Sequence, residues 1–151
     1  MADLDRTAVV MSIRAVYADQ ILAGTKCWEF RRQPLPYDVT TVLVYRSGDP
    51  EGRGIVGQFT AGPGDTTTPR GLIGHAASRG YRMGQTDPRY GICGTDLAKY
   101  AGGADRPIVA IPVLHPVRYA QAVPLAAFGW ERPAQSWRYS VAGWQELINH
   151  G

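Results

Sequence analysis

The chain has 151 residues, of which 44% are hydrophobic and 19% are charged, and it carries a formal net charge of +3. This length fits a single domain that folds alone and buries about two-thirds of the surface its unfolded form exposes. The mild basic excess is compatible with a phosphate-bearing partner, but many small proteins share it. The 18 glycines and 11 prolines favour short strands and many turns over long helices.

Several classes of protein are excluded by what the sequence lacks. Cys27 and Cys93 are too few for a four-cysteine zinc site and too far apart for a CxxC pair, so free thiols are expected. The first ten residues lack the apolar stretch of a signal peptide, and no later run reaches transmembrane length, so a cytoplasmic protein is predicted. The GxxxxGK[ST] and strand-linked GxGxxG motifs are absent. We expect no cofactor and no metal, and we assign no role to His75, His115 or His150.

The first predicted elements are a strand, a helix, a tight turn and a second strand over residues 9–32. Alternating apolar residues in Val9–Ile13 are typical of a half-buried strand. An apolar stripe at helical spacing follows, and Gly24 just beyond it suits the left-handed conformation that ends a helix. Lys26 is therefore predicted to lie at a corner, directly before the second strand.

Charged and aromatic residues interleave after this corner. Trp28 and Phe30 share one face of the strand and are interpreted as core, whereas Glu29 and Arg31 share the other face. Because Lys26 lies at the corner, its ammonium need not follow the alternation and can reach Glu29. The alternative is a solvated edge, whose lysine–glutamate pair would contribute at most about 1 kcal/mol.

The rest of the chain predicts further strands and short helices. Strands are predicted at 39–45, 55–61 and 108–113, with 117–123 continuing the sheet. Helices are predicted from Thr68–Pro69 through Ala76, from a Thr95 cap through Tyr100, at 124–130, and after a Ser140 cap, with an apolar stripe that includes Trp144.

Three positions carry more specific expectations. Gly57 inside a strand predicts a bulge or the close approach of another group. Pro112 predicts an edge or a bulge in its strand. Residues 80–94, rich in glycine and arginine, are predicted to be a solvated insertion, with a basic loop that touches a ligand as the alternative.

Two motifs near opposite ends of the chain resemble those of one known family. The first is S-I-R-x-x-Y-A-x-x-I-L-x-G-T-K-x-x-E-F-R-R over residues 12–32, and its most specific part is G-x-K-x-x-E-x-R. The second is R-P-A-Q-S-W-R-Y over residues 132–139, which is similar to a closing P-P-Q-S-F-x-Y segment. In this order they resemble the ASCH domain, a member of the PUA-like superfamily.

The resemblance covers about residues 8–139 and implies a fold and a ligand class. The implied fold is α+β, a PUA-like β-barrel of five or six strands with flanking short helices and a cleft near the first helix. We predict one ASCH domain over residues 1–151, in which 140–151 form a C-terminal helical extension. The resemblance also implies binding of nucleic acid, chiefly RNA or a modified nucleotide, and no membrane partner.

A ligand site is predicted around the first motif. Lys26 would supply a cation for a phosphate or an oxyanion, Glu29 an acceptor for an exocyclic amine, and Arg31 a bidentate contact. A structural role across the barrel is the alternative for residues 135–137. Further polar contacts are expected from Ser12, Gln58, Gln135 and Ser136, and a stacking surface from Tyr45, Trp137 or Tyr139.

Two enzymatic alternatives remain open. Some short ASCH-like proteins remove the acetyl group of N4-acetylcytidine, using a lysine, a threonine three residues later and a distant glutamate. Lys26 matches the lysine, Glu29 takes the threonine position, and Gln58 stands where the family often carries glutamate. Lys26 and Glu29 are thus the candidate catalytic residues of an altered amidohydrolase, with Glu29 activating water. Ribonuclease activity is the second enzymatic alternative, for which the sequence offers no histidine pair or acidic cluster.

Overall fold

The computed structural model describes residues 3–149, which form seven strands, four α-helices and one 3-10 helix. The strands are β1 (Leu4–Arg14), β2 (Trp28–Arg31), β3 (Thr41–Ser47), β4 (Gly54–Ala61), β5 (Asp65–Thr67), β6 (Ile108–Val123) and β7 (Trp137–Val141). The α-helices are α1 (Ala15–Leu22), α2 (Pro69–Ser78), α3 (Gly94–Ala101) and α4 (Trp144–Asn149), and the 3-10 helix spans Leu125–Phe128.

The strands form one mixed sheet that curls into a half-barrel. Their order is β2-β6-β4-β3-β1-β7, and β5 pairs with β6 beside this path. β1 and β3 are parallel, a pairing that needs a crossover connection, and the chain between them contains α1 and β2. The other pairs are antiparallel. The predicted α+β fold is therefore confirmed, although the described sheet has more strands than the five or six expected.

Both faces of β1 are buried, which differs from the half-buried strand predicted. Val9 and Met11 pack on one face in a cluster with α1. Ala8 and Val10 pack on the other face, in a cluster that includes Phe128 of the 3-10 helix. The reason is that helical segments cover the sheet on both sides, so alternation of polarity is lost where the sheet is central.

Several local signals gave the correct structure. Gly24 adopts a φ of +83° directly after α1, and the Thr68 side chain caps α2 by accepting from the Gly71 amide at 3.2 Å. Two predicted caps were wrong. α3 begins after Cys93, so Thr95 lies inside the helix. Ser140 is fully buried within β7 rather than preceding a helix.

The long strand β6 contains the irregularities that the sequence indicated. Pro112 lies where β6 leaves β2 and β5 and begins to pair with β4. The register with β4 shifts near Gly57, and a Cβ at Gly57 would collide with the main-chain oxygen of Val117. Both expectations for Gly57, a bulge and a close approach, are confirmed.

The predicted solvated insertion over residues 80–94 is wrong in part, because residues 82–86 are exposed but Asp87 and Tyr90 are buried. Asp87 is 2% exposed, and its carboxylate accepts from Arg79 Nε and the Arg89 amide at 3.0 Å each. Tyr90 is also buried and packs in a cluster with Phe30. The segment looks solvated by composition, but its buried carboxylate is fully paired, which makes burial tolerable.

No helix within residues 3–149 is long and apolar enough to cross a membrane. α4 contacts β6 and the 3-10 helix, and it is the described part of the predicted C-terminal extension. His150 and the chain ends lie outside the described residues. The assignment of residues 1–151 to one domain stays a prediction.

Candidate functional site

A cleft of about 650 Å³ opens beside the end of β1, between α1, β2 and α3. Its size is in the range of pockets that hold small organic ligands. Three charged residues, Lys26, Glu29 and Arg31, contribute to its wall, and we call them the charged triad. Exposed charged residues also line the cleft, and we call them the rim: Arg14, Asp96 and Lys99.

The corner after α1 places Lys26 in the protein interior. The Lys26 amide donates to the Gln20 carbonyl at 3.2 Å, which closes the turn around Gly24. The next amide, that of Cys27, donates to the Arg89 carbonyl at 2.7 Å. Lys26 Nζ donates to the Tyr90 carbonyl at 2.5 Å. Main-chain groups of the 80–94 segment therefore cover the lysine from one side.

The environment of the Lys26 ammonium combines an aromatic ring and a carboxylate. Lys26 Nζ lies 4.7 Å from the centroid of the Phe30 ring and 4.0 Å from Glu29 Oε1. Lys26 is 2% exposed and Glu29 is 6% exposed. The solvated-edge alternative for this pair is therefore wrong, and the predicted approach of lysine to glutamate is confirmed.

Arg31 is occupied by protein partners. Its Nη2 donates to Glu29 Oε2 at 2.9 Å and to the Ser12 carbonyl at 2.8 Å. Its Nη1 donates to Ser136 Oγ at 3.3 Å. With these donors engaged, Arg31 orients Glu29 and holds the closing motif rather than offering a free bidentate fork to a ligand.

The closing motif is pinned against β1. The Ser12 amide donates to the Ser136 carbonyl at 2.9 Å, and Ser12 Oγ donates to the Ala134 carbonyl at 2.6 Å. Gln135, between these two anchors, lines the cleft. The structural role considered for this segment thus fits Ser136, while Gln135 is available to a ligand.

Burial controls the chemistry of Lys26. Desolvation lowers the pKa of Lys26 from 10.5 to about 8, with the nearby Glu29 carboxylate opposing the shift and the Arg31 guanidinium adding to it. At pH 7 roughly a tenth of the Lys26 side chains are therefore neutral, whereas an ordinary lysine is almost entirely charged. Such a lysine can serve as a cation or exchange a proton near neutral pH.

The predicted site residues divide into two groups. Residues that line the cleft are Ser12, Lys26, Glu29, Arg31 and Gln135. The others lie elsewhere. Tyr45 is buried in the cluster that contains Phe128, and Gln58 Oε1 accepts from the Tyr119 hydroxyl at 2.7 Å. Ser136 does not line the cleft but accepts a hydrogen bond from Arg31, which does. Trp137 and Tyr139 are half-buried and pack against the apolar cluster that contains Met11.

Sequence reasoning missed most of the other cleft residues, and those with charged or tyrosine side chains are Arg14, Tyr17, Asp96, Lys99 and Tyr100. The first two belong to the opening motif, where they were used only for secondary structure. The other three have the i, i+3, i+4 spacing of one helix face, and this signal was present in the sequence. The described residues contain no group of three or more histidines, cysteines or carboxylates placed to hold a metal ion.

Replacing Gly91 by alanine is expected to disturb the cover over Lys26. Gly91 has a φ of +72°, and an added Cβ would lie 2.7 Å from Lys26 Cδ and would also collide with the Gln20 side chain. Gly80→Ala is the matched control, because its φ is +92° with nothing within 4 Å. Both variants suffer backbone strain, but only Gly91→Ala adds overpacking of about 1–3 kcal/mol. Urea unfolding measures this excess, and equal losses for the two variants would contradict it.

The pH dependence of stability should report the burial of Lys26. The folded-state pKa is about 8 and the ordinary value is 10.5, so between these values the unfolded chain binds more protons and stability rises with pH. Below about pH 8, burying the charged Lys26 ammonium lowers the free energy of unfolding by roughly 3 kcal/mol. Relative to Lys26→Met, wild-type protein should gain up to that amount as pH rises through the window, measured by urea unfolding.

The control for this measurement is Lys99→Met, which removes an exposed lysine of the same cleft. A stability difference for Lys26→Met that stayed constant with pH, as for removal of a surface cation, would show that Lys26 is not desolvated.

The sequence and the structure were compared with known proteins, and only solved structures gave matches. No model of a known protein family matches the chain, and no curated protein matches it. Among solved structures, the ASCH protein of Zymomonas mobilis superposes with a TM-score of 0.76 at 16% identity, covering 97% of this chain and 96% of that one.

Two variants of the same Zymomonas mobilis protein agree. A serine-to-alanine variant gives a TM-score of 0.70 at 16% identity over 97% of this chain and 98% of its own. A tyrosine-to-phenylalanine variant gives 0.68 at 15% identity over 95% and 97%. The fold implied by the two sequence motifs is confirmed, and the chain has the fold of the ASCH domain.

Proposed function

We propose that this protein binds single-stranded nucleic acid, most readily RNA, and holds one base or modified nucleotide in the cleft. The observation that supports this most directly is the combination of a cleft of about 650 Å³ with the charged triad in its wall and basic residues at its rim. Single bases are read by fixed polar groups in such pockets, while the backbone follows exposed cations.

The charged triad suits the edge of a base. Glu29 is held by Arg31 at 2.9 Å, and its other oxygen lies 4.0 Å from the Lys26 ammonium. A carboxylate fixed in this way accepts a hydrogen bond from an exocyclic amine, such as that of cytosine or adenine. Gln135, which lines the same cleft, can both donate and accept.

The rim suits the phosphate backbone. Arg14 and Lys99 are exposed and line the cleft, so each can neutralise a phosphate while keeping much of its hydration. Neutralising a phosphate releases condensed counterions, which makes affinity fall as salt rises.

Replacing rim cations is expected to change the salt dependence of RNA binding. Arg14→Gln and Lys99→Gln should each reduce the slope of log affinity against log salt by about 0.7, weakening binding to all sequences alike. Fluorescence anisotropy with short labelled single-stranded RNA measures this slope. Arg53→Gln is the matched control, since Arg53 is also exposed but does not line the cleft. Affinity that did not depend on salt in wild-type protein would argue against the proposal.

A second candidate function is hydrolysis of an N4-acylated cytidine, and the position of the Lys26 ammonium 4.0 Å from the Glu29 carboxylate in the cleft wall favours it. In this reaction Glu29 takes a proton from water, and the water oxygen attacks the acyl carbon. The Lys26 ammonium stabilises the resulting oxyanion. The bond between the acyl carbon and N4 then breaks, N4 takes the proton, and cytidine and a carboxylic acid leave.

Incubation with N4-acetylcytidine tests this reaction, with release of cytidine followed by chromatography. Wild-type activity should fall above about pH 8, where Lys26 loses its proton, and Lys26→Met and Glu29→Gln should each lose at least about 100-fold in kcat/KM. Arg53→Gln, which alters an exposed cation outside the cleft, should retain activity. No turnover by folded wild-type protein would leave the binding function alone, and degradation of a labelled RNA would instead indicate a ribonuclease.

A further inference from the structure

The cleft contains aromatic side chains that the sequence analysis did not assign to the ligand site. Among the described residues, those that line it are Tyr17 of α1, Phe30 of β2 and Tyr100 of α3. The aromatic residues expected to stack on a ligand lie outside the cleft. A base held here therefore has a different set of rings to contact.

Phe30 has little surface to offer. It is 7% exposed, the Lys26 ammonium lies 4.7 Å from its ring centroid, and the Tyr90 ring packs against it edge-on at a centroid distance of 6.0 Å. Phe30 therefore supports Lys26 and the 80–94 segment, and the two tyrosines remain.

Tyr17 connects the charged triad to the rim. Its ring centroid lies 5.5 Å from Lys26 Nζ, and its half-buried body packs against the cluster under α1. Burial raises the pKa of Tyr17, and the negative charge of Asp96 on α3 adds to this effect. Tyr17 is thus a half-buried ring, packed on one side and close to Asp96 of α3.

Tyr100 is held in place by Arg32, the last residue of the opening motif. Arg32 donates from Nε to the Tyr100 carbonyl at 2.9 Å, and its guanidinium lies 5.1 Å from the Tyr100 ring centroid. Tyr100 is still 36% exposed. Arg32 does not line the cleft, whereas Tyr100 does, so the ring keeps surface that faces a ligand.

We infer that Tyr17 and Tyr100 are the stacking surfaces of the cleft, and that its ligand is a planar heteroaromatic base with an exocyclic amine that reaches Glu29. This inference rests on the proposed function and adds its specificity-determining residues. Two rings supported by packing or by Arg32 are preorganised, so little conformational entropy is lost when a base stacks on them.

Substitution of each tyrosine by leucine and by phenylalanine tests this inference. The probe is a short single-stranded RNA that contains one 2-aminopurine, whose fluorescence falls on stacking. Tyr17→Leu and Tyr100→Leu should each weaken binding by about 5-fold to 150-fold, the range measured when one stacked aromatic ring is removed. Tyr17→Phe and Tyr100→Phe keep the ring and should stay within about twofold of wild type.

Tyr37→Leu is the control, because Tyr37 is 100% exposed and does not line the cleft. If wild-type protein binds no RNA, the proposed function itself fails. If wild-type protein binds and quenches the probe but the leucine variants bind equally well, the stacking inference is overturned while the function stands. Equal losses for phenylalanine and leucine would assign the effect to the hydroxyl groups and would also overturn it.

Discussion

The burial of the Lys26 ammonium is the interaction on which the rest of the cleft depends. An isolated cation in a protein interior is strongly unfavourable, so it must be paired, hydrogen-bonded or neutralised. Here the Tyr90 carbonyl, the Glu29 carboxylate and the face of the Phe30 ring share that task. The carbonyl belongs to the 80–94 segment, and the carboxylate and the ring belong to β2. The lysine therefore fixes how these two segments lie relative to each other.

Arg31 extends this arrangement to the other end of the chain. It holds Glu29 on one side and the Ser12 carbonyl and Ser136 hydroxyl on the other. The antiparallel pairing of β1 with β7 brings the closing motif to the same place. Two sequence motifs more than a hundred residues apart are thus parts of one hydrogen-bonded unit, which gives a physical reason for their occurring together.

The sequence predicted what depends on neighbouring residues and failed where distant contacts decide. Gly24 and the alternation of β2 are local, so the corner at Lys26 and its approach to Glu29 were predictable. Tyr45 was misjudged because Val42–Tyr45 is buried on both faces, and alternation then does not tell which side meets a ligand. The packing of residues 80–94 depends on the pairing of Asp87 with Arg79, which composition cannot indicate. The spacing of Asp96, Lys99 and Tyr100 predicts that they share one helix face. That this face lines the same cleft as Tyr17 is decided by the tertiary fold.

The hydrogen bond from Lys26 Nζ to the Tyr90 carbonyl joins residues 64 positions apart. The surroundings of Lys26 are therefore complete only when residues 80–94 are docked onto the sheet. Segments docked onto a sheet can open at lower free energy than the sheet itself. If residues 80–94 were to undock, Lys26 would lose the Tyr90 carbonyl and Phe30 would lose the Tyr90 ring. Because desolvation is the main cause of the lowered pKa of Lys26, the acidity of this lysine depends on a segment that lies far from it in the sequence.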